Sequence, residues 1–553
     1  MHAILESRDA SVYGRGALGG KGAGLVEVNG WSLPRTVRLP THVLATDFYD
    51  RYQERDRTIG RDDERVIAGI LEQVGDRPVG VRSSATNEAG TACKGSWAIH
   101  AGENLSFMLP NNHADAGVRQ KQLTLAVRHI YDHFAARQAG AAEERMAIVI
   151  NPIPGLFDDT PAGPFFYPYV SGVADSFFPY ALRTQDPKEG YARIAFGHGY
   201  ATVLDDFPVI SMATIRDPIP LALLQTGRGQ QYFYALDLTR NSELRGEELE
   251  TMKRLHVRHA SFHKIRLLGV HGQVITIEEL VQRDQFGFKT GLGQLMDAIA
   301  ARCGSNFQIE FVFNIDFSKR PYRDGLFHVV QLTRLPEMTH DAVEMPEHPA
   351  HTYVTTTSLQ GHGVKKGVRH AVVVSPFLYS KDQHDAIRER LAEVNRSMQR
   401  DGERYLAIVP GRLGSKNRDW GIAAEYQDVS QAVGIFEYGV DIAGRVQPLA
   451  DEGETTGGVY GSHFLYMALG GYSEDQRRKQ ARMYGTQGTH FFTNIMSSDV
   501  VYGYISPVED TLDPWFFSPP EGGDALYVLT FPTPASIYAD SVNQRCMVVA
   551  EDG

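Results

Sequence analysis

A chain of 553 residues with 55 Lys plus Arg against 67 Asp plus Glu carries a formal charge of -12. This excludes nucleic-acid binding by bulk positive charge, which needs clustered cations to neutralise phosphates. Three cysteines, Cys93, Cys303 and Cys546, are too few and too scattered for a disulfide framework or a thiolate metal site. The length predicts about two to four domains, each able to bury a core. Charge enters at Glu6, and no stretch supplies about 18 consecutive apolar residues. The expectation is a cytoplasmic protein that engages neither membrane nor nucleic acid.

In chain order, the first feature is a glycine cluster, Gly14, Gly16, Gly19, Gly20, Gly22 and Gly24, with Lys21 inside it. Glycines let backbone N–H groups approach an anion closely, and a lysine adds a point charge for phosphate. A surface turn has the same composition. Residues 25–31 read as the opening of a helix. Residues 78–82 read as a strand ending at Arg82, followed by a hydroxyl-rich turn over 83–88 that suits polyphosphate or, equally, local N-capping. Residues 113–139 read as helix and 145–150 as a buried strand ending at Asn151. The aromatic run 165–168 reads as core, and 171–173 as a turn.

Residues 308–313 and 326–334 have the form of two neighbouring strands. They place Glu310, Gln331 and Arg334 where a carboxylate, an amide and a guanidinium face one cleft. Carboxylate and carbonyl oxygens are hard ligands suited to Mg2+, and arginine can hold phosphate bidentately; a hairpin with exposed polar residues fits the same pattern. The proline-punctuated stretch after Arg334 reads as a linker. Beyond it, a strand at 371–374, an amphipathic helix at 383–400 and a strand at 405–409 predict a second α/β domain.

Together these segments resemble the ATP-binding N-terminal part of the phosphoenolpyruvate synthase and pyruvate phosphate dikinase family. Gly19-Gly20-Lys21-Gly22-Ala23-Gly24-Leu25 is similar to that family's GGKGANL, and Val81-Arg82-Ser83-Ser84-Ala85-Thr86 to its VRSSAT. Residues 39–48 look like the strand leading into its next helix. Ser171-Gly172-Val173-Ala174 resembles SGVAF, and Gly197-His198-Gly199 stands at the place of a GLGE-like turn. Residues 308–311 and 330–334 resemble the IEW and LQxRP strands, although Gln331-Leu332-Thr333-Arg334 is one residue longer than LQxR. The resemblance spans about residues 14–336. It implies an α/β, ATP-grasp architecture of two lobes closing over Mg-ATP: residues 1–150 as the N-terminal lobe, 151–340 as the second, 341–352 as linker and 353–553 as a smaller C-terminal α/β domain. It also implies that Lys21 and Arg82 contact phosphates, that Asn151 lies near the adenine hinge, that Glu310 and Gln331 hold Mg2+, and that Arg334 lies near the transferring phosphate.

A tail of about 200 residues is too short for a phosphocarrier domain plus a pyruvate-binding barrel, which alone takes roughly 250. Instead, Pro410-Gly411-Arg412-Leu413-Gly414-Ser415 and Gly485-Thr486-Gln487-Gly488-Thr489-His490-Phe491-Phe492 look like segments of shorter synthase-like proteins. Gly411 and Arg412 suggest an anion-binding loop, and His490 a phosphoacceptor or general base. Thr456 to His463 is reminiscent of the carrier-histidine motif, which makes His463 a second candidate. The expected activity is ATP- and Mg2+-dependent phosphoryl transfer to a small-molecule acceptor, directly or through His463 or His490. The alternatives are an ATP-grasp carboxylate–amine ligase, with Arg412 orienting the carboxylate, and a non-catalytic nucleotide sensor.

Overall fold

The structure is a computed structural model that describes residues 14–86, 105–137, 144–160, 163–177, 187–199, 202, 210–213, 215, 219–220, 232–238, 258–261, 280–281, 283–316, 318, 324–335, 342–375, 377–379, 381–411, 413–414, 421–438, 500–505, 510–520, 523–541, 543 and 545–551. The fold is mixed α/β with several sheets. The chain divides into two compact units, Met1–Ser176 with Gly190–Leu335, and Phe177–Glu189 with Pro336–Gly553. Among the described residues, no helix is long and apolar enough to cross a membrane.

The first unit contains, in chain order, α1 (Arg15–Asn29), β1 (His42–Leu44), α2 (Thr46–Glu54), α3 (Arg61–Val74), β2 (Val79–Ala85), β3 (Ser106–Leu109), α4 (Ala116–Arg137), β4 (Met146–Pro152), β5 (Leu156–Thr160), β6 (Gly163–Tyr167), β7 (Val170–Asp175), β8 (Tyr191–Phe196), β9 (Ile210–Ala213), β10 (Ile219–Pro220), β11 (Tyr232–Asp237), β12 (Arg258–Ser261), α5 (Phe288–Cys303), β13 (Phe307–Asn314) and β14 (Leu326–Arg334). Three antiparallel sheets result, in the orders β1-β4-β2-β3, β10-β9-β8-β7-β13-β14 and β12-β11-β6-β5.

The four-stranded sheet is covered on both faces, which explains why β4 is a continuous buried run rather than an alternating one. On one face, Ile67, Ile70, Leu71 and Val74 of α3, at helical spacing, pack with Phe48, Tyr131, Val81 and Ile148. On the other, Val43 and Val149 meet Leu18 and Leu25 of α1. The six-stranded sheet carries an apolar face of Ile309, Phe311, Phe313, Ile194 and Phe196 against Phe288, Leu292, Leu295 and Ile299 of α5. Its second face carries Gln308, Glu310, Asp175 and Arg193 among apolar residues.

Three local expectations are corrected. Residues 171–173 are strand, not turn: Gly172 lies in β7 because a Cβ there would come within 2.4 Å of the Phe311 ring. Ser83 and Ser84 continue strand β2 instead of turning. The first helix begins at Arg15, ten residues before Leu25, and takes in the glycine cluster by kinking at Gly19.

The second unit contains β15 (Thr352–Thr356), β16 (Ser358–Gln360), β17 (Gly363–Val374), α6 (His384–Asp401), β18 (Tyr405–Pro410), β19 (Ala432–Tyr438), β20 (Val501–Ile505), β21 (Thr511–Leu512), β22 (Leu526–Asp540) and β23 (Arg545–Ala550). They form one sheet in the order β16-β20-β19-β18-β17-β22-β23-β15-β21. Strands β17 to β20 pair in parallel, and the others are antiparallel. Helix α6 supplies the crossover from β17 to β18, burying Ile387, Leu391 and Val394.

In the first unit, β14 is an edge strand, and its outer side is covered. Val37 donates to the Phe327 carbonyl and Phe327 donates to the Arg35 carbonyl, both at 2.8 Å. His328 lies in this edge, and burial lowers its imidazole pKa to about 4, against the opposing effect of a hydrogen bond to the Val37 backbone. The unfolded ring titrates near 6.5, so between about pH 6.5 and 4 the unfolded chain binds a proton that the folded one does not. Stability is therefore lost as pH falls through that window. We expect the stability difference between pH 7 and pH 4.5, from urea midpoints, to shrink by about 2 kcal/mol in His328→Gln; an unchanged pH profile would refute this.

Candidate functional site

Three segments far apart in sequence converge beside the β14 edge. The kink in α1 places Gly19 at φ 67°, where a Cβ would lie 1.8 Å from the Ser84 carbonyl oxygen. Ser84 Oγ donates to the Leu18 carbonyl at 2.8 Å and accepts from the Gly22 N–H at 3.0 Å, holding the helix on both sides of the kink. Five residues after Gly19, a Cβ on Gly24 would lie 2.2 Å from the Leu332 carbonyl oxygen. The glycine-rich helix is thus seated against both β2 and β14, and glycine is required at both seats. Lys21 is half-buried in the first turn after the kink, at the positive end of the helical segment that follows.

Residues 80, 82 and 84 alternate onto one face of β2. Asn151 lies directly opposite Gly80 in β4, buried, with its Oδ1 3.3 Å from where a Gly80 Cβ would sit. Asn151 therefore shares the face of the four-stranded sheet that carries Arg82 and meets α1.

Arg82 reaches from this face to the six-stranded sheet. Its Nη1 donates to the Val330 carbonyl at 2.6 Å, and its Nη2 donates to Glu310 Oε2 and to Gln331 Oε1, each at 2.7 Å. Glu310 and Gln331 are directly opposed in β13 and β14 despite the twenty residues between them. The register then shifts by one, leaving Val330 as the extra residue of a bulge that bends the edge strand at this point. Gln331 Nε2 donates to Thr333 Oγ1 at 3.2 Å, which turns the amide oxygen toward Arg82. Two hard oxygen donors thus converge on one cationic nitrogen.

Arg334 is not brought to this cluster. Strand side chains alternate, so a residue three positions after Gln331 faces the other way, and Thr333 takes the place two positions on. Arg334 Nη2 instead donates to Glu27 Oε1 of α1 at 2.5 Å, while Nη1 reaches the Cys303 carbonyl at the end of α5. Here it clamps α1, β14 and α5 together, and an expectation that seats it beside a transferring phosphate does not match this geometry.

Sequence reasoning passed over several residues of the second face of the six-stranded sheet. Gln308 Nε2 donates to Asp175 Oδ1 at 2.8 Å, and Arg193, buried in β8, lies in line with Glu310 across Val173. A lone arginine within the otherwise apolar run Tyr191–Phe196 is the signal that would have found it. Ser171 Oγ donates to the Gly197 carbonyl at 2.8 Å, tying down the bend that contains His198.

In the second unit, Arg412, His463 and His490 lie outside the described residues. The described residues beside Arg412, Gly411, Leu413 and Gly414, have their backbone N–H groups committed within the fold. Gly411 N–H donates to the Tyr438 carbonyl at 2.8 Å, Leu413 N–H to the fully buried Glu437 Oε1 at 2.7 Å, and Gly414 N–H to the Ile422 carbonyl at 2.8 Å. Tyr502 Oη donates to the same Glu437 oxygen. These donors hold the loop to the ends of β18 and β19 and are consumed in doing so.

Among the described residues, no group of three or more His, Cys, Asp or Glu side chains is placed to hold a metal ion. A scan against protein-family models finds no match for the chain, and a search of curated proteins finds no relative.

Proposed function

We propose that the chain is an ATP- and Mg2+-dependent phosphotransferase of ATP-grasp architecture, similar to the nucleotide-binding part of phosphoenolpyruvate synthases and dikinases. The observation that carries this reading is the convergence of Arg82 Nη2, Glu310 Oε2 and Gln331 Oε1 beside a glycine-seated helix that bears Lys21. The donor set fits Mg2+. Two oxygens are already organised around a positive charge, and a cation that keeps several waters and is shared with phosphates needs only one or two protein ligands. Glu310 and Gln331 would hold the ion, which when bound would neutralise charge on the bridged phosphate oxygens.

The chain's own groups supply the rest. Lys21 and Arg82 hold phosphate oxygens by charge-assisted hydrogen bonds, and the buried Asn151 offers an amide to the base. Phosphoryl transfer depends chiefly on positioning and on cations that offset developing charge, so no nucleophilic triad is required. The acceptor is a small molecule, reached directly or through His463 or His490.

The test is incubation of the whole chain with Mg2+ and ATP labelled at the β or the γ phosphate, scoring acid-labile protein label and nucleotide products. A dikinase cycle leaves β label on the protein, releases AMP and phosphate, and loses the label in His463→Ala or His490→Ala. ADP as sole product indicates a direct kinase or an acyl-phosphate ligase. Glu310→Gln is expected to lower turnover by at least about 100-fold. Absence of both ATP binding and turnover in the unmodified protein would sink the proposal.

A further inference from the structure

Two of the oxygen atoms suited to a divalent cation, Glu310 Oε2 and Gln331 Oε1, are already engaged by Arg82. Nη2 sits 2.7 Å from both Glu310 Oε2 and Gln331 Oε1, while Nη1 is spent on the bulged Val330 carbonyl. The Arg82 side chain is only 12 % exposed, against 31 % for that of Glu310. A free cation entering here would have to displace a part-buried arginine and leave its Nη2 donors unsatisfied beside a like charge. Unsatisfied buried charges are costly, and two adjacent cations repel. A cation arriving with a polyphosphate meets no such barrier. Phosphate oxygens accept the guanidinium as well as a carboxylate does, often bidentately, so Arg82 trades one anion for another while the oxygens it vacates receive the metal.

We propose that Arg82 is a latch that makes the site select a cation already chelated by a nucleotide polyphosphate and reject the free divalent cation. This rests on the nucleotide-binding reading above and adds the order and identity of what binds. The bulge is what holds the latch: by turning out the Val330 carbonyl it gives Nη1 a fixed partner, so Nη2 is the part of the guanidinium that exchanges. By linkage, polyphosphate then raises cation affinity by the same factor as cation raises polyphosphate affinity.

The experiment measures Mn2+ binding to the whole chain from the free-Mn2+ electron paramagnetic resonance signal, with and without the β,γ-methylene analogue of ATP, each referenced to the same mixture without protein so that chelation by the analogue itself is removed, in wild type and Arg82→Ala. Wild type is expected to bind Mn2+ at least about tenfold more tightly with the analogue present, a coupling of ordinary size. In Arg82→Ala, Mn2+ alone should bind at least about fivefold more tightly than it does to wild type, and the analogue should matter less. Analogue binding to wild type with a change in Mn2+ affinity of twofold or less would overturn the latch while leaving nucleotide binding intact; that comparison uses wild type alone and stands even if the variant misfolds. Failure of the analogue to bind at any Mn2+ concentration would overturn the nucleotide reading, and the latch with it.

Discussion

Gly19→Ala is expected to be among the most damaging single-methyl additions in the first unit, costing at least about 4 kcal/mol. Two penalties add. The backbone there lies at φ 67°, which costs an L-residue about 1 to 2 kcal/mol, and the new Cβ would stand 1.8 Å from the Ser84 carbonyl oxygen, a backbone atom near the end of strand β2 that cannot turn aside as a side chain could. Relief requires lifting α1, which breaks the hydrogen bonds of Ser84 Oγ to Leu18 and Gly22. Gly24→Ala carries the steric penalty without the dihedral one, so a smaller loss of about 2 to 3 kcal/mol is expected. Gly16→Ala is the control, because nothing lies within 4 Å of its Cβ position and alanine favours helix by up to about 1 kcal/mol. Urea unfolding of the three variants should give that order; equal midpoints for Gly16→Ala and Gly19→Ala would refute the seating of α1 on β2.

Glu310→Ala is expected to destabilise the protein by about 2 to 3 kcal/mol, because it leaves the Arg82 side chain, 12 % exposed, with only the neutral Val330 and Gln331 oxygens as acceptors for its guanidinium. Glu310→Gln keeps an acceptor and should cost less than half as much. Arg82→Ala strands acceptors rather than a buried cation, and Glu310 is exposed enough to find water. The double variant should therefore be more stable than the sum of the singles predicts, by about 1 to 2 kcal/mol. A double-mutant cycle in urea reads this coupling directly, and additive losses would mean that Arg82 and Glu310 act independently.

The parts of the candidate site that were legible in the sequence were those with fixed local spacing. Lys21, Arg82, Asn151, Glu310 and Gln331 lie on α1, β2, β4, β13 and β14, and the pairing of Glu310 with Gln331 follows from two strand-like runs. The displacement of Arg334 was also written in the spacing, since one added residue in a strand reverses a side chain. What was not legible depends on contacts between distant segments. Gly172 reads as a turn residue because its real reason, room for the Phe311 ring, lies about 140 positions away. The bulge at Val330 has no local signature, and neither does the strut role of Ser84. In the second unit, the run β17, α6, β18 was readable as a strand–helix–strand unit. The antiparallel flank of β22, β23 and β15 was not, because its partners are set by registers across up to about 200 residues.

The seating of α1 on β14 also governs when the first unit can finish folding. Leu18, Leu25, Val43 and Val149 belong to a core that is completed by Phe307, Phe311, Phe327 and Leu332, and Arg82 closes onto a carbonyl 248 positions later in the chain. At a synthesis rate of roughly 5 to 20 residues per second, β14 follows β2 from the ribosome by on the order of 10 to 50 seconds. Throughout that interval α1 lies on the four-stranded sheet without its seat on β14, so Leu18 and Leu25 lack the packing partners that β13 and β14 bring. The seat of α1 is therefore completed only after β14 has left the ribosome, and during synthesis its unfilled side is where chaperone protection would be needed.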